Sequence, residues 1–310
     1  MQNIQPLQLD HLSFINTYLA ENPPLISECT FANLFIWQKS RPVFFTELGD
    51  SLLFLVKAKG EDDRYILFGP PLGGISLAEV FAAMQGSLVG AVRISHDMAS
   101  PLPEQNYTIE EDHDNADYVY RVAYLASLTG RRYSKKRNQI KHCLDNHRCE
   151  YEEITVGNIA ECTAMQEGWC RLRNCGHTPG LCSENRAIDE LFAHYADFKN
   201  LIGGAIRVDG RIAAYAVGEK LHPKTAVWHF EKAMPPVQGL GQLITHWFAK
   251  YSLQDFDYVN REQDLGMPGL RQAKLSYYPH HMVDKYSVWL MDKPVEQVTA
   301  LSGRCEALEE

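Results

Sequence analysis

Apolar and polar positions along the chain fall into two series of elements that follow one another in the same order. In the first, helical spacing marks Leu7 to Leu19 and Phe31 to Gln38, and Thr30 stands before the second as a candidate N-cap. Two stretches of strand period, Val43 to Leu48 and Ser51 to Lys57, flank Gly49-Asp50 and predict a hairpin. Tyr65 to Phe68 then leads into the Gly-Pro loop Gly69 to Gly74, a helix from Ser76 to Gln85 and a strand from Leu88 to Ile94. The second series opens with helices at Ile159 to Leu172 and Arg186 to Phe198. A hairpin follows, Leu201 to Val208 and Arg211 to Lys220, turned by Asp209-Gly210. A strand from Ala226 to Lys232, a loop from Pro235 to Gly241, a helix ending at Tyr251 and a short strand, Phe256 to Val259, complete it.

Corresponding elements lie about 160 to 166 residues apart, which predicts duplication of one mixed domain. The expected fold class is therefore α+β, as two tandem domains, each a mostly antiparallel sheet flanked by helices. Between the series lie an acidic segment, Glu104 to Asp117, the stretch Tyr118 to Leu128, and a basic run from Arg131 to Arg137. A boundary near residue 147 divides the chain into residues 1–147, which include the linking strand and a basic helix, and residues 148–310. A small acceptor molecule is expected between the two lobes.

Composition narrows the class. With 310 residues, 45% of them hydrophobic, the chain can bury two ordinary cores. No apolar run reaches the roughly 20 residues of a membrane span, and the N-terminal stretch lacks the basic start and apolar centre of a signal peptide. A cytoplasmic protein is expected. The eight cysteines are scattered, which in that compartment favours reduced thiols. A net charge of −9 argues against general nucleic-acid binding but leaves room for a local basic patch.

Candidate chemistry concentrates in the second series. Asn260, Arg261, Glu262 and Asp264 follow a short apolar strand, and Arg271 and Lys274 share one side of a helix predicted from Pro268 to Ser276. Open sheets place ligands at such strand ends, although an ion-paired loop carries the same charges. Gly239-Leu240-Gly241 precedes a helix with a strong apolar face. Its glycines let backbone N–H groups approach a pyrophosphate, or simply let a strand meet a helix. Glu231 lies on the strand feeding this loop. Arg131, Arg132, Lys135, Lys136 and Arg137 put five cations within seven residues at a helix start, with Ser134 as its expected cap. A polyanion such as tRNA would offset that repulsion, and so would pairing with the acidic Glu110 to Asp114 segment. Cys162, Cys170, Cys175, His177 and Cys182 could supply a structural zinc, but they lack a close C-x2-C knuckle, and no metal is expected.

Three blocks, NREQDLGMPGLRQAKLSYYP from Asn260, HFEKA from His229, and ADYVY followed by GRRYSKKRN, resemble a bacterial family related to the C-terminal domain of phosphatidylglycerol lysyltransferase. The resemblance implies two tandem domains of the GNAT acyltransferase fold, akin to Fem-type aminoacyl transferases. It also implies transfer of an acyl or aminoacyl group from a coenzyme A thioester or an aminoacyl-tRNA to an amine or hydroxyl. Gly239 and Gly241 match the two glycines of the acyltransferase phosphate loop. Pro236 stands where that pattern asks for Gln or Arg, which weakens the coenzyme A reading. By residue type, Glu231 or Glu262 would act as base and Tyr277 as proton donor. Arg261, Arg271 and Lys274 would hold phosphate or carboxylate, and backbone N–H groups of a splayed strand at Trp228 to Lys232 would hold the carbonyl oxygen. The alternative is an idle transferase-like protein that binds a phosphorylated ligand or RNA as a regulator.

Overall fold

The structure is a computed structural model and describes residues 3–60 and 63–291. It divides into two compact units. The first holds the described residues up to Asp117, Gln263–Gly266 and those from Val283 on; the second holds Tyr118–Glu262 and Met267–Met282. Strand Tyr118 to Arg121 and the basic helix, placed in the first domain by the sequence reading, belong to the second unit.

The first unit starts with β1 (Gln5–Pro6), α1 (Leu12–Glu21) and α2 (Phe31–Ile36), whose N-cap Thr30 accepts from the Asn33 N–H as expected. β2 (Val43–Leu48) and β3 (Ser51–Lys57) form the predicted hairpin, with Leu48 opposite Ser51. β4 (Tyr65–Phe68) pairs antiparallel with β3. Crossover helix α3 (Leu77–Ala83) then allows β5 (Leu88–Ile94) to lie parallel to β4. Ser76 and Glu79 form a reciprocal capping box at the start of α3. After α4 (His96–Ala99) and β6 (Tyr107–Glu111), the sheet is completed by a strand from far along the chain, Tyr286–Leu290, inserted between β5 and β6. Gly90 makes that insertion possible, because a Cβ there would lie 2.2 Å from the Trp289 ring.

The first unit also holds a largely buried cluster of charge. Lys285, fully buried, donates to Glu28 and Asp117 at 2.6 Å each, and Arg93 reaches Glu28 at 2.8 Å and Asp112 at 2.5 Å. Burial alone would raise the Glu28 pKa. Lys285 and Arg93 instead hold that carboxyl well below its usual range.

The second unit repeats the plan. β7 (Asp117–Arg121) leads through α5 (Val122–Ser127) to α6 (Ser134–Asn146) and β8 (Cys149–Glu153). Tyr133, not Ser134, is the N-cap of α6, and its side chain makes no capping bond; Ser134 is already the first helical residue. Helices α7 (Ile159–Arg173) and α8 (Pro179–Ala193) precede the hairpin of β9 (Leu201–Val208) and β10 (Arg211–His222). β11 (Thr225–Ala233), α9 (Leu240–Tyr251) and β12 (Tyr258–Asn260) form the crossover, with β11 and β12 parallel. α10 (Pro268–Leu275), β13 (His281–Val283) and β14, the Tyr286–Leu290 strand above, follow. The sheet order is β13-β7-β12-β11-β10-β9-β8. Its core joins Trp228, Leu243, Ile244 and Phe248 to Tyr120, Leu125 and Tyr133, which is the apolar face read from the α9 sequence. Both units thus carry the expected architecture: two tandem GNAT-like domains, each with a mostly antiparallel sheet and flanking helices.

Candidate active site

The site grows from a single extra residue in β11. Gly218 pairs with Trp228 and Val217 with Phe230, so His229 is a bulge. Its insertion breaks the alternation of side chains. Trp228 and Glu231 turn toward α9, where Trp228 meets Phe248 and Glu231 meets Thr245. His229 turns the other way and reaches Glu219, which lies on the β10 face carrying Tyr215. Nearby, the parallel ladder of β11 and β12 runs only from Thr225/Tyr258 to Val227/Asn260. Beyond those residues the two strands part.

Glu231 and Arg261 lie where they part. Arg261 Nη2 donates to Glu231 at 3.0 Å, and Thr245 Oγ1 lies 3.1 and 3.0 Å from the two carboxylate oxygens. Both side chains stay in reach of solvent, at 23% exposure for Glu231 and 14% for Arg261. Aromatic rings box in the guanidinium: its carbon sits 4.5 Å from the Trp228 ring centre, 5.2 Å from Tyr277 and 5.7 Å from Tyr120. Lys136 enters the same cluster from α6. Its Nζ lies 3.5 Å over the Tyr277 ring and donates to Ser276 Oγ at 2.8 Å. Burial, and after it the Arg261 charge, pull the Lys136 pKa down to about 8. The Tyr277 hydroxyl is pushed up to about 12, first by burial and then by Glu231.

The sequence-derived residues separate into three places. Glu231, Arg261 and Tyr277 come together, and Lys274 supports them by donating from Nζ to the Arg261 carbonyl. Glu262 stands apart. At φ +59° it accepts from His229 Nδ1 at 2.8 Å, while His229 Nε2 faces Glu219 at 3.0 Å. Burial works against a charged imidazole here, yet the bonds to Glu219 and Glu262 raise its pKa to about 9. Arg271 lies on α10, beside Gln272 and Leu275 along an open surface groove.

Gly239 and Gly241 differ in kind. Gly239, at φ +86°, packs so closely on α6 that a Cβ would lie 2.0 Å from the Gln139 carbonyl oxygen, whereas nothing stands within 4 Å of a Cβ on Gly241. α9 has no side-chain cap and no acidic residue in its first turn.

Of the basic run, Arg137 donates to the Leu128 and Gly130 carbonyls at 2.5 and 2.8 Å, so it closes the turn after α5. Arg132 lies among Tyr124, Tyr133 and Tyr278 at 5.4, 5.0 and 4.9 Å, and Arg131 and Lys135 are exposed. Among the described residues none of the five cations forms an ion pair. As for metal, no group of three or more His, Cys, Asp or Glu converges as ligands among the described residues. Cys170 instead meets Asn185 at 3.0 Å. No helix of the described residues is long and apolar enough to cross a membrane.

What sequence reading missed is the inward turn of Lys136 and the aromatic box. No local spacing signalled the turn: Tyr133 precedes α6, and Ser276, which accepts from the Lys136 ammonium, lies 140 residues further along the chain.

The fold and this cluster can be set beside known proteins. A conserved protein of unknown function from Bacteroides thetaiotaomicron superposes with a TM-score of 0.85 at 28% identity, over 94% of this chain and 100% of its own. L-PGS from Bacillus licheniformis superposes at 0.67 with 13% identity, over 94% and 97% of the two chains. FemX does so at 0.63 with 8% identity, over 96% and 100%; at such identities these two show the fold alone. No curated protein sequence matches the chain. The family model described as phosphatidylglycerol lysyltransferase, C-terminal, matches residues 23–289, a span that takes in the bulged β11, the parted strands and the Glu231–Arg261 pair, and the chain belongs to that family.

Proposed function

We propose that the protein moves an aminoacyl group from a charged tRNA to an amine or hydroxyl acceptor, with the reacting carbonyl held where β11 and β12 part. The observation that supports this reading is the Glu231–Arg261 pair, half-open to solvent and boxed by rings, beside a strand edge whose ladder ends at Val227. Backbone N–H groups on that edge would donate to the carbonyl oxygen as it gains charge. Glu231 would hold the ammonium of the aminoacyl group, and Arg261 would keep that carboxylate ionised and oriented. Arg271 and Lys274 would supply positive charge toward the donor's phosphates. Such transfer is in keeping with the name of the family and with relatives named L-PGS and FemX.

Two features favour tRNA over a coenzyme A thioester. Gly239 packs against the Gln139 carbonyl of α6, and Pro236 precedes it. Arg131 and Lys135 are exposed cations without carboxylate partners among the described residues, next to Arg132 among half-exposed Tyr124 and Tyr278. Exposed rings and guanidinium groups form stacking platforms for unpaired bases, and the cations meet phosphates.

A gel shift with total charged tRNA at two salt concentrations, followed by loss of labelled amino acid from the tRNA in the presence of ethanolamine, tests the reading. Binding that weakens with salt, together with loss of label, is the expected result. Heat on titration with coenzyme A but no tRNA shift would favour a thioester donor. A shift without turnover would favour the idle, RNA-binding alternative.

A further inference from the structure

A transfer site needs a group that can take up and release a proton near neutral pH, and the groups first expected to do so are committed elsewhere. Both oxygens of Glu231 are engaged, by Thr245 and by Arg261. Glu262 is bound to His229 in a separate cluster. The Tyr277 hydroxyl is buried and a weak acid. Lys274 points its Nζ at a backbone carbonyl.

Lys136 differs from each of these. Its Nζ has one hydrogen-bond partner, Ser276 Oγ, and that hydroxyl already donates to the Ala273 carbonyl at 2.6 Å, so it can only accept from the lysine. The rest of the ammonium rests on a ring. Buried Lys232 and Lys285 have carboxylates at 2.7 and 2.6 Å, but among the described residues no carboxylate lies within ion-pair distance of Lys136. The charged groups around it are Lys135 on its own helix, Arg261 beyond β12, and Glu231 on β11, with Ser276 and Tyr277 facing it after α10.

We propose that Lys136 is the proton carrier of the transfer step, from its place over the Tyr277 ring and against the Ser276 hydroxyl. This rests on the transferase reading above. As the acceptor nitrogen or oxygen bonds to the aminoacyl carbon, its proton passes to the neutral Nζ. When the bond from that carbon to the ribose oxygen breaks, the same proton passes from Nζ to the leaving oxygen, so the lysine ends as it began. A pKa drawn down to about 8 suits both halves of the exchange. Its cause is physical: partial burial comes first and the Arg261 guanidinium second, and together they outweigh the pull of Glu231.

The test compares Lys136→Arg and Lys136→Met with wild type, using charged tRNA as donor and ethanolamine as acceptor. Arginine keeps the positive charge but does not exchange its proton near neutral pH. Both variants should lose roughly 100-fold or more in transfer rate, and the rise of the wild-type rate with pH, centred near 8, should vanish from what remains. Gel-shift affinity for tRNA should stay within about threefold for the arginine variant, which separates chemistry from phosphate contact. A Lys136→Arg enzyme with the wild-type rate and pH profile overturns the proposal while leaving the transferase reading intact. If wild type transfers nothing, that reading fails, and a second measurement decides on the lysine. After reductive methylation with 13C-formaldehyde, the resonance missing from Lys136→Arg should titrate near pH 8; a midpoint above about 10 would mean a permanent cation and sink the idea.

Discussion

The two units share a plan and use charge in opposite ways. In unit 1 the parallel strands β4 and β5 stay joined to their ends, Phe68 against Val92, and the Gly69 N–H still donates to the Val92 carbonyl at 2.9 Å. In unit 2 the corresponding strands part after three pairs, and Glu231 and Arg261 stand where they part. The crossover helices differ in the same sense. α3 starts with a capping box whose Glu79 carboxylate occupies the helix end, while α9 starts with neither a side-chain cap nor an acid. Unit 1 also seals Lys285, Glu28 and Asp117 away from water, each at 3% side-chain exposure or less. One unit, the closed copy, thus seals its charged cluster from water, while the other, the open copy, leaves the Glu231–Arg261 pair partly exposed, the pair proposed above as the ligand site.

The largest effect that would test this contrast is on stability in the closed copy. Lys285→Met takes the buried ammonium away from Asp117 and leaves Glu28 with Arg93, and should cost about 3–5 kcal/mol in urea unfolding. In the open copy, Glu231→Gln should leave stability within about 1 kcal/mol yet cut transfer by roughly 100-fold. If Glu231→Gln unfolds the protein instead, its charge is structural and the contrast fails.

A second comparison sets pH against stability within unit 2. The His229 pKa lies above its unfolded value, so its contribution is fully present below about pH 6.5 and is lost as pH rises through about 9. Thermal scans across that window should show a decline worth roughly 2–3 kcal/mol, absent from His229→Gln once its own lower baseline is allowed for. A flat wild-type curve would mean that Glu219 and Glu262 do not hold a charged imidazole.

The two glycines of the α9 loop sharpen the picture further. Gly239→Ala must strain a left-handed residue and push Gln139 away, so it should cost about 1–3 kcal/mol. Gly241→Ala has room and helical geometry, and should stabilise by a few tenths up to about 1 kcal/mol. Equal effects would remove the distinction between a packing glycine and an open one.

The smallest expected effect is on RNA. Arg131→Ala with Lys135→Ala should flatten the log–log salt dependence of tRNA binding by about one to two units and leave folding untouched. A loss of stability at low salt would point instead to internal pairing of these cations.

Local signals account for what could be read without coordinates. The hairpins at Gly49 and Asp209-Gly210, the Thr30 cap and the apolar face of α9 depend on neighbours within a few residues, and periodicity records such neighbours directly. Long-range partners leave no such record. The strand YSVWL was not among the elements read from the sequence, and nothing in those five residues says that they insert between β5 and β6. The bulge at His229 was equally hidden, and it decides the site: one inserted residue sends Glu231 and His229, with its partner Glu262, to different faces. Lys136 was misleading for another reason. In a run of five cations the default is a solvated face, and only the positions of Tyr277 and Ser276 show that one of them turns inward.

The inserted strand also fixes when the first unit can exist at all. Ala91 pairs with Val288, roughly 200 residues later in sequence, so a chain leaving the ribosome cannot close this sheet until Val288 has been made. During synthesis, β5 and β6 wait with open edges, and the notch at Gly90 waits for Trp289. Unit 2 has its strands from β7 to β12 in hand first and can serve as the earlier folding nucleus. The unit whose first strands are translated first is therefore the one completed last, and a truncation between Val283 and Tyr286 should leave the open copy better folded than the closed one.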